Sequence, residues 1–244
     1  MTNDAADRYF RGTGCGVRIA IIDSGVHAGH SHVQGVAGGV AIGPDGTEHP
    51  DYIDRLGHGT AVAAAIKEKA PDAELFAVKV FDRTLATDVG VLVHAIDWAA
   101  RSDIHLVNLS LGTARPQHER VLGDAVKRAM QAGVIVVAAG HDDGIRWLPG
   151  CLPGVVPVQV DWTCPRDRYR IATASDGEVV FRTSGFPREI PGVPAALNLK
   201  GVSFAVANMS GFAARALETR SGASFEELVG MLSAGDLLRS SGQK

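Results

Sequence analysis

The sequence predicts an α/β protein: a three-layer, doubly wound fold built on a mostly parallel central sheet, of the kind in which strand and helix alternate. Two observations carry this. Apolar, β-branched blocks recur at 17–22, 75–80, 106–109, 134–139 and 155–160, without the polar alternation of a half-exposed strand. Runs of that kind suit strands buried on both faces. Between the blocks lie segments of helical spacing at 60–69, 88–101 and 118–132. Parallel strands need such crossover helices, which then cover both faces of the sheet.

Taken in order, the first block, Val17-Arg18-Ile19-Ala20-Ile21-Ile22, is closed by the turn signal Asp23-Ser24-Gly25. The 60–69 segment is alanine-rich from Ala61 to Ala65. In 88–101, Val89, Leu92, Val93, Ile96 and Ala100 fall on one helical face. From about 163 to 200 the rhythm gives way to Arg, Pro and Gly, and hairpins and loops are expected there. Two helices follow, opening at Ser203 and Ser224; Ser224 and Glu227 have capping-box spacing ahead of Leu228, Met231 and Leu232. One domain over 1–244 is expected, with flexible ends at 1–13 and 240–244.

Composition narrows the partners. The chain has 244 residues, 45% of them hydrophobic, and 29 glycines, as befits a globular α/β protein with many tight turns. With 24 basic against 27 acidic residues and no run of either sign, neither a nucleic-acid nor a membrane-surface partner is expected. The start, MTNDAADRYFRGTG, carries no apolar core of signal-peptide length, and no stretch reaches the roughly 18 apolar residues of a membrane span. Three cysteines, Cys15, Cys151 and Cys164, are too sparse for a disulfide framework and fit a reducing, cytoplasmic setting, with Cys151 and Cys164 read as buried structural thiols.

Three short segments hold the candidate chemistry. Ile21-Ile22-Asp23-Ser24-Gly25 places a carboxylate at the end of a buried strand, where functional groups gather in open parallel sheets. Leu56-Gly57-His58-Gly59-Thr60 places an imidazole between glycines at a helix start, which disfavours the imidazolium and leaves the ring able to take a proton. Gly201-Val202-Ser203-Phe204-Ala205 opens a helix with a serine whose own N–H lies at the positive end of the helix dipole. Read singly, each has a plainer role: Asp23 as a turn cap, His58 as a capping or surface histidine, Ser203 as an N-cap.

Together, in the order Asp, His, Ser, the segments resemble the subtilisin family. The likeness runs from about Gly14 to Ala234 and extends to His30, Val36-Ala37-Gly38-Gly39, Ala77-Val78-Lys79-Val80 and Val107-Asn108-Leu109-Ser110-Leu111-Gly112. The resemblance implies a serine endopeptidase acting on a peptide or protein substrate without a cofactor. Ser203 would be the nucleophile, His58 the general base, and Asp23 the group that orients the imidazole. Ser110, Leu111 and Gly112, with the residues from 83 to 88, would form the edges between which a peptide inserts; Ala138, Ala139 and Gly140 would wall the primary specificity pocket, its floor lying within 151–163. An intracellular peptide-processing role is the accompanying expectation.

The sequence departs from the family at Ala138-Ala139-Gly140-His141, where His141 stands in place of the asparagine that completes the oxyanion hole. Either His141 donates a ring N–H in its stead, or the site is crippled and the chain is a peptide-binding or scaffolding homologue. Val202 and Phe204 replace Thr and Met, and Ala207-Asn208 stands for Pro-His. His27, His30 and His32 lie close together but lack zinc-site spacing, so they read as surface histidines and no metal is expected. Calcium finds no support in the acidic positions, and oligomeric state is not encoded in any legible motif.

Overall fold

The computed structural model describes residues 11–173, 177–194 and 197–241; the outer parts of both expected flexible ends, 1–10 and 242–244, lie outside these. Among the described residues the strands are β1 Arg18–Asp23, β2 Gly38–Ile42, β3 Glu48–His49, β4 Glu74–Lys79, β5 Leu106–Leu109, β6 Ile135–Ala139, β7 His141–Asp142, β8 Ile145–Arg146, β9 Val155–Val160, β10 Tyr169–Thr173 and β11 Val179–Thr183. The helices are α1 His58–Lys69, α2 Val89–Arg101, α3 Glu119–Gln131, α4 Val202–Glu218 and α5 Phe225–Ser241.

The main sheet runs in the order β10-β11-β9-β6-β5-β1-β4-β2-β3, and only the pairings at its two edges, β10 with β11 and β2 with β3, are antiparallel. Alternate residues of β1 explain the missing polar period: Ile19 and Ile21 face α1, α4 and α5, while Ala20 and Ile22 face α2 and α3. Each fully buried isoleucine contributes about 1.5–3 kcal/mol, so a polar residue on either face would be costly. From β1 the chain moves outward to β2 and β3, comes back to β4 beside β1, then crosses to β5 on the other side of β1. That reversal opens a crevice at the carboxyl end of β1.

Local differences have simple causes. Helix α1 starts at His58, two residues before the segment start at 60 read from the sequence. In α2 the buried stripe is Val91, Leu92, Ala95, Ile96 and Ala99, rotated from the Val89–Val93–Ala100 face read off the sequence. Small Ala95 and Ala99 let the helix lie close to the sheet, which outweighs the larger valines at its margin. The 163–200 region does contain a hairpin, β10 with β11. The Ser224 capping box forms as spaced: Glu227 N–H donates to Ser224 Oγ at 3.2 Å and Ser224 N–H to Glu227 Oε2 at 2.9 Å. At the amino end, Thr13 and Gly14 N–H groups donate to the Glu218 carboxylate at 2.5 and 2.7 Å, and Arg215 Nε to the Gly12 carbonyl at 2.7 Å. The chain is therefore anchored from residue 12 rather than loose to residue 13.

Candidate active site

Asp23 is the last residue of β1, fully buried, and level with Lys79 on β4. Its Oδ1 accepts the N–H of Ser24 at 2.7 Å and lies 2.8 Å from His58 Nδ1. Its Oδ2 is buried without a hydrogen-bond partner among the described residues. His58, whose side chain is 16% exposed, is the first residue of α1. The two glycines around it serve the backbone rather than access. Gly57 enters the helix at φ +84°, and a Cβ on Gly59 would lie 2.1 Å from the Gly25 carbonyl and 3.2 Å from Asp23 Cβ. Only glycine lets α1 start directly on the end of β1, and that contact is what brings imidazole to carboxylate.

The electrostatics differ from the sequence expectation of a histidine kept neutral by the helix end. Burial is the largest single influence on His58 and pulls its pKa down. The Asp23 hydrogen bond, the Asp23 charge and the charge of Asp54 together outweigh it, so the pKa stands above 6.5. Asp54, four residues before His58, was not singled out by the sequence reading. Its buried carboxylate accepts from Ser24 Oγ, Leu56 N–H and Gly57 N–H at 2.9 Å each, from Thr60 N–H at 2.9 Å and from Thr60 Oγ1 at 2.6 Å. Burial works against its ionisation, yet these bonds hold its carboxyl below the usual carboxylate range. Ser24 Oγ in turn accepts the Gly59 N–H at 2.9 Å, so Asp54 shapes the whole turn that presents His58. The Asp54→Asn variant should lower kcat/KM about tenfold and move the acid limb of the pH–rate profile to lower pH, since one source of the raised His58 pKa is gone. A limb that stays in place would show that Asp54 acts on the backbone alone.

Ser203 is the second residue of α4, not its N-cap; Gly201 holds that position. At this depth in the first turn the backbone N–H has no intrahelical acceptor. The Ser203 hydroxyl donates to the Ser110 carbonyl at 3.1 Å, and no hydrogen bond joins it to His58 among the described residues. The expected line of three bonded groups is therefore half closed: carboxylate to imidazole is made, imidazole to hydroxyl is not. A polar bridge also ties β5 to α4 through the Ser203 carbonyl. Ser210 Oγ donates to Asn108 Oδ1 at 2.9 Å, Asn108 Nδ2 to Ser110 Oγ at 2.8 Å, and Ser110 Oγ to the Ser203 carbonyl at 3.4 Å. His58 and Ser203 still share one crevice, for the His58 ring lies 5.5 Å from that of Phe204, the next residue.

Register brings the predicted peptide-binding segments side by side. Leu109 of β5 pairs with Ile22 of β1 and with Ala138 of β6, so Ser110–Gly112 and Ala138–Gly140 leave adjacent strand ends next to Asp23. Leu111 and Gly112 face residues 85–89 across a cleft of about 470 Å³. Residues 147–151 reach both walls, and Cys151 Sγ lies 2.8 Å from the Gly140 carbonyl. Trp147 donates its N–H to the Gly140 carbonyl at 2.8 Å, and Thr113 exchanges backbone bonds of 2.9 Å with Leu148. Residues 147–150 thus join the two walls, and Trp147 Nε1 is buried without a partner among the described residues. Nothing in the sequence around Trp147 signals this, because the contact depends on a loop folding back on β6. His141 begins the β7–β8 hairpin and is exposed. Its Nδ1 lies 3.4 Å from Cys151 Sγ, so Cys151 is not a buried structural thiol but a half-buried neighbour of the histidine. Cys164 is buried, and burial pushes its thiol pKa up.

A doubly wound sheet whose central strand ends in a buried carboxylate–imidazole pair, with a serine at the mouth of the facing helix, defines a protein of the Asp-His-Ser class. The sequence profile of the subtilase family matches residues 14–157, and the chain belongs to that family. It is 37% identical over 141 residues to the minor extracellular protease Epr of Bacillus subtilis (strain 168), covering 54% of this chain and 21% of that protein. It is 34% identical over 141 residues to subtilisin E of the same organism, covering 54% of this chain and 36% of the relative. To the thermostable alkaline protease of Halalkalibacterium halodurans it is 35% identical over 140 residues, covering 54% and 37%. The chain thus aligns with between about a fifth and two fifths of the length of these relatives. In fold it is similar to a cold adapted subtilisin-like serine proteinase, with a TM-score of 0.70 and 22% identity over 90% of this chain and 82% of that one.

Proposed function

We propose that the chain is a serine endopeptidase that cleaves peptide bonds through an acyl-enzyme on Ser203. The observation that carries this reading is the 2.8 Å contact between His58 Nδ1 and the buried Asp23 carboxylate, which leaves Nε2 as the ring nitrogen free to serve the crevice. Swinging the Ser203 hydroxyl from the Ser110 carbonyl towards His58 is a rotamer change that gives up one hydrogen bond, about 1 kcal/mol. Catalytic hydrogen bonds of this kind commonly close only around substrate. Ser203 Oγ then attacks the scissile carbonyl as His58 takes its proton; His58 later returns a proton to the leaving amine, and water repeats the sequence on the acyl-enzyme. The Ser203 N–H and a ring N–H of His141 are the two donors to the oxyanion.

Replacing His141 by alanine should lower kcat by about 10²-fold with little change in KM, because the donor acts only on the developing oxyanion. Steady-state kinetics on one peptide decides it, and an unchanged kcat removes His141 from the oxyanion hole. A second reading, a peptide-binding homologue with weak turnover, is favoured by one observation: the Ser203 hydroxyl is held by Ser110 rather than by His58. A fluorophosphonate probe separates the two. An activated Ser203 takes up the label; a folded chain that stays unlabelled is the binding homologue.

A further inference from the structure

On the flank of His58 away from β5 and β6 lies a cavity of about 710 Å³ that no step above uses. Two of its walls lead straight into the active site: Leu56 and Gly57, just before His58, and Asn198 and Leu199, shortly before Ser203. Its rim carries His27, His30 and His32 from the turn after β1 and Arg188 from the loop before α4. Asp54 is the one carboxylate among the residues lining it, and both its oxygens are taken by the bonds that shape the His58 turn. Arg55 also lines the cavity but is shared with Asp51 and Asp82. Glu68, whose charge reaches His32, is occupied by Lys69 and Arg166.

Arg188 is different. It is half-buried, it donates to the His32 carbonyl at 3.3 Å, and its own carbonyl accepts from Asn198 at 3.2 Å. The first bond holds its guanidinium at the cavity and the second fixes its backbone, and no carboxylate is paired to it among the described residues. Burial, Arg188 and His30 all push the His32 pKa down, so near neutral pH His32 is an uncharged ring beside a fixed positive charge. Ala61 and Ala64 supply apolar wall, which lowers the local dielectric and strengthens any pair formed there.

We infer that this cavity receives an acidic side chain of the peptide segment on the leaving-group side of the cleaved bond, with Arg188 as its anchor. The inference rests on Ser203 being the nucleophile. The acyl side is then held between 111–113, after β5, and 85–89, before α2, and walled by 138–140 at the end of β6. The leaving segment must run past His58 to the opposite flank, where the cavity opens. A carboxylate meeting a half-buried guanidinium through charge-assisted hydrogen bonds favours such a substrate by about tenfold over its neutral isostere.

The test uses fluorogenic peptides identical up to the cleaved bond and carrying Glu, Gln or Lys at each of the first three positions beyond it. At one of these positions kcat/KM should be about tenfold higher for Glu than for Gln, and lowest for Lys. Arg188→Gln should erase the Glu preference, and Arg188→Glu should reverse it in favour of Lys. Equal rates for the three residues at every position in the unaltered protein overturn the inference, and this comparison does not depend on any variant folding. A Glu preference that survives Arg188→Gln overturns Arg188 as the anchor. If no peptide is cleaved, the peptides are titrated against the Ser203→Ala protein by fluorescence anisotropy. Tighter binding of the Glu peptide that needs Arg188 then keeps the cavity assignment while the endopeptidase reading falls, and equal binding of all three ends the assignment.

Discussion

Substituting Ser203 by alanine is expected to lower kcat on the order of 10⁶-fold and to abolish fluorophosphonate labelling, while the fold survives. The magnitude follows from the loss of the nucleophile itself: with no hydroxyl to acylate, His58 and Asp23 have no proton to manage, and only binding and oxyanion stabilisation remain. The structural cost is small and can be placed. Among the described residues Ser203 Oγ makes one hydrogen bond, 3.1 Å to the Ser110 carbonyl. Losing the bond costs about 1 kcal/mol. For a chain of this size that lowers Tm by about 2–4 °C. The bridge from Ser210 through Asn108 and Ser110 to the Ser203 carbonyl does not involve the lost hydroxyl and should hold α4 in place. A labelled Ser203→Ala protein would assign the nucleophile elsewhere.

Asp23→Asn is expected to lower kcat by about 10⁴-fold, which is about 5.5 kcal/mol of transition-state stabilisation. Here the hydrogen-bond pattern indicates how. Asp23 Oδ1 accepts from both Ser24 N–H and His58 Nδ1, so an asparagine that keeps the Ser24 bond must turn its oxygen to that side and can preserve the tautomer. What it cannot preserve is the negative charge that stabilises the imidazolium as it forms. The acid limb of the pH–rate profile should therefore move down, because the raised His58 pKa owes both a hydrogen bond and a charge to Asp23. In the unaltered protein the sign runs the other way: a pKa above 6.5 means His58 protonates sooner on acidification, and activity should fall at correspondingly higher pH. Since Oδ2 is buried without a partner among the described residues, the asparagine NH2 that replaces it is an unsatisfied buried donor, and Tm should fall by a few degrees while the fold survives. A large loss of Tm would attribute the inactivity to unfolding and withdraw the electrostatic account.

Relations local in the chain were legible before any coordinates. The unalternated block ending at Asp23, the histidine between glycines and the serine opening a small-residue helix each encode their own placement, since strand burial and helix starts are decided within about ten residues. The Ser224–Glu227 cap is of the same kind, a two-way bond set by spacing alone. The order of Asp23, His58 and Ser203 along the chain added what no single segment could say.

What only the tertiary structure decided concerns groups that meet across the sheet. The Ser203 hydroxyl rests on Ser110 and not on His58; Trp147 folds back to close the pocket between β5 and β6; Cys151 meets His141; Asp54 ties the His58 turn to Ser24; and Arg188 is brought beside the histidines that follow β1. Side-chain rotamers and pKa values depend on partners supplied by distant segments, and a hydrogen bond or a charge a few ångströms away leaves no trace in the spacing of the residues that feel it. The chain by itself determined which residues could do the chemistry and which strand and helix ends would carry them. Their partners, their protonation and the shape of the cleft around them came from packing two helical layers against one sheet.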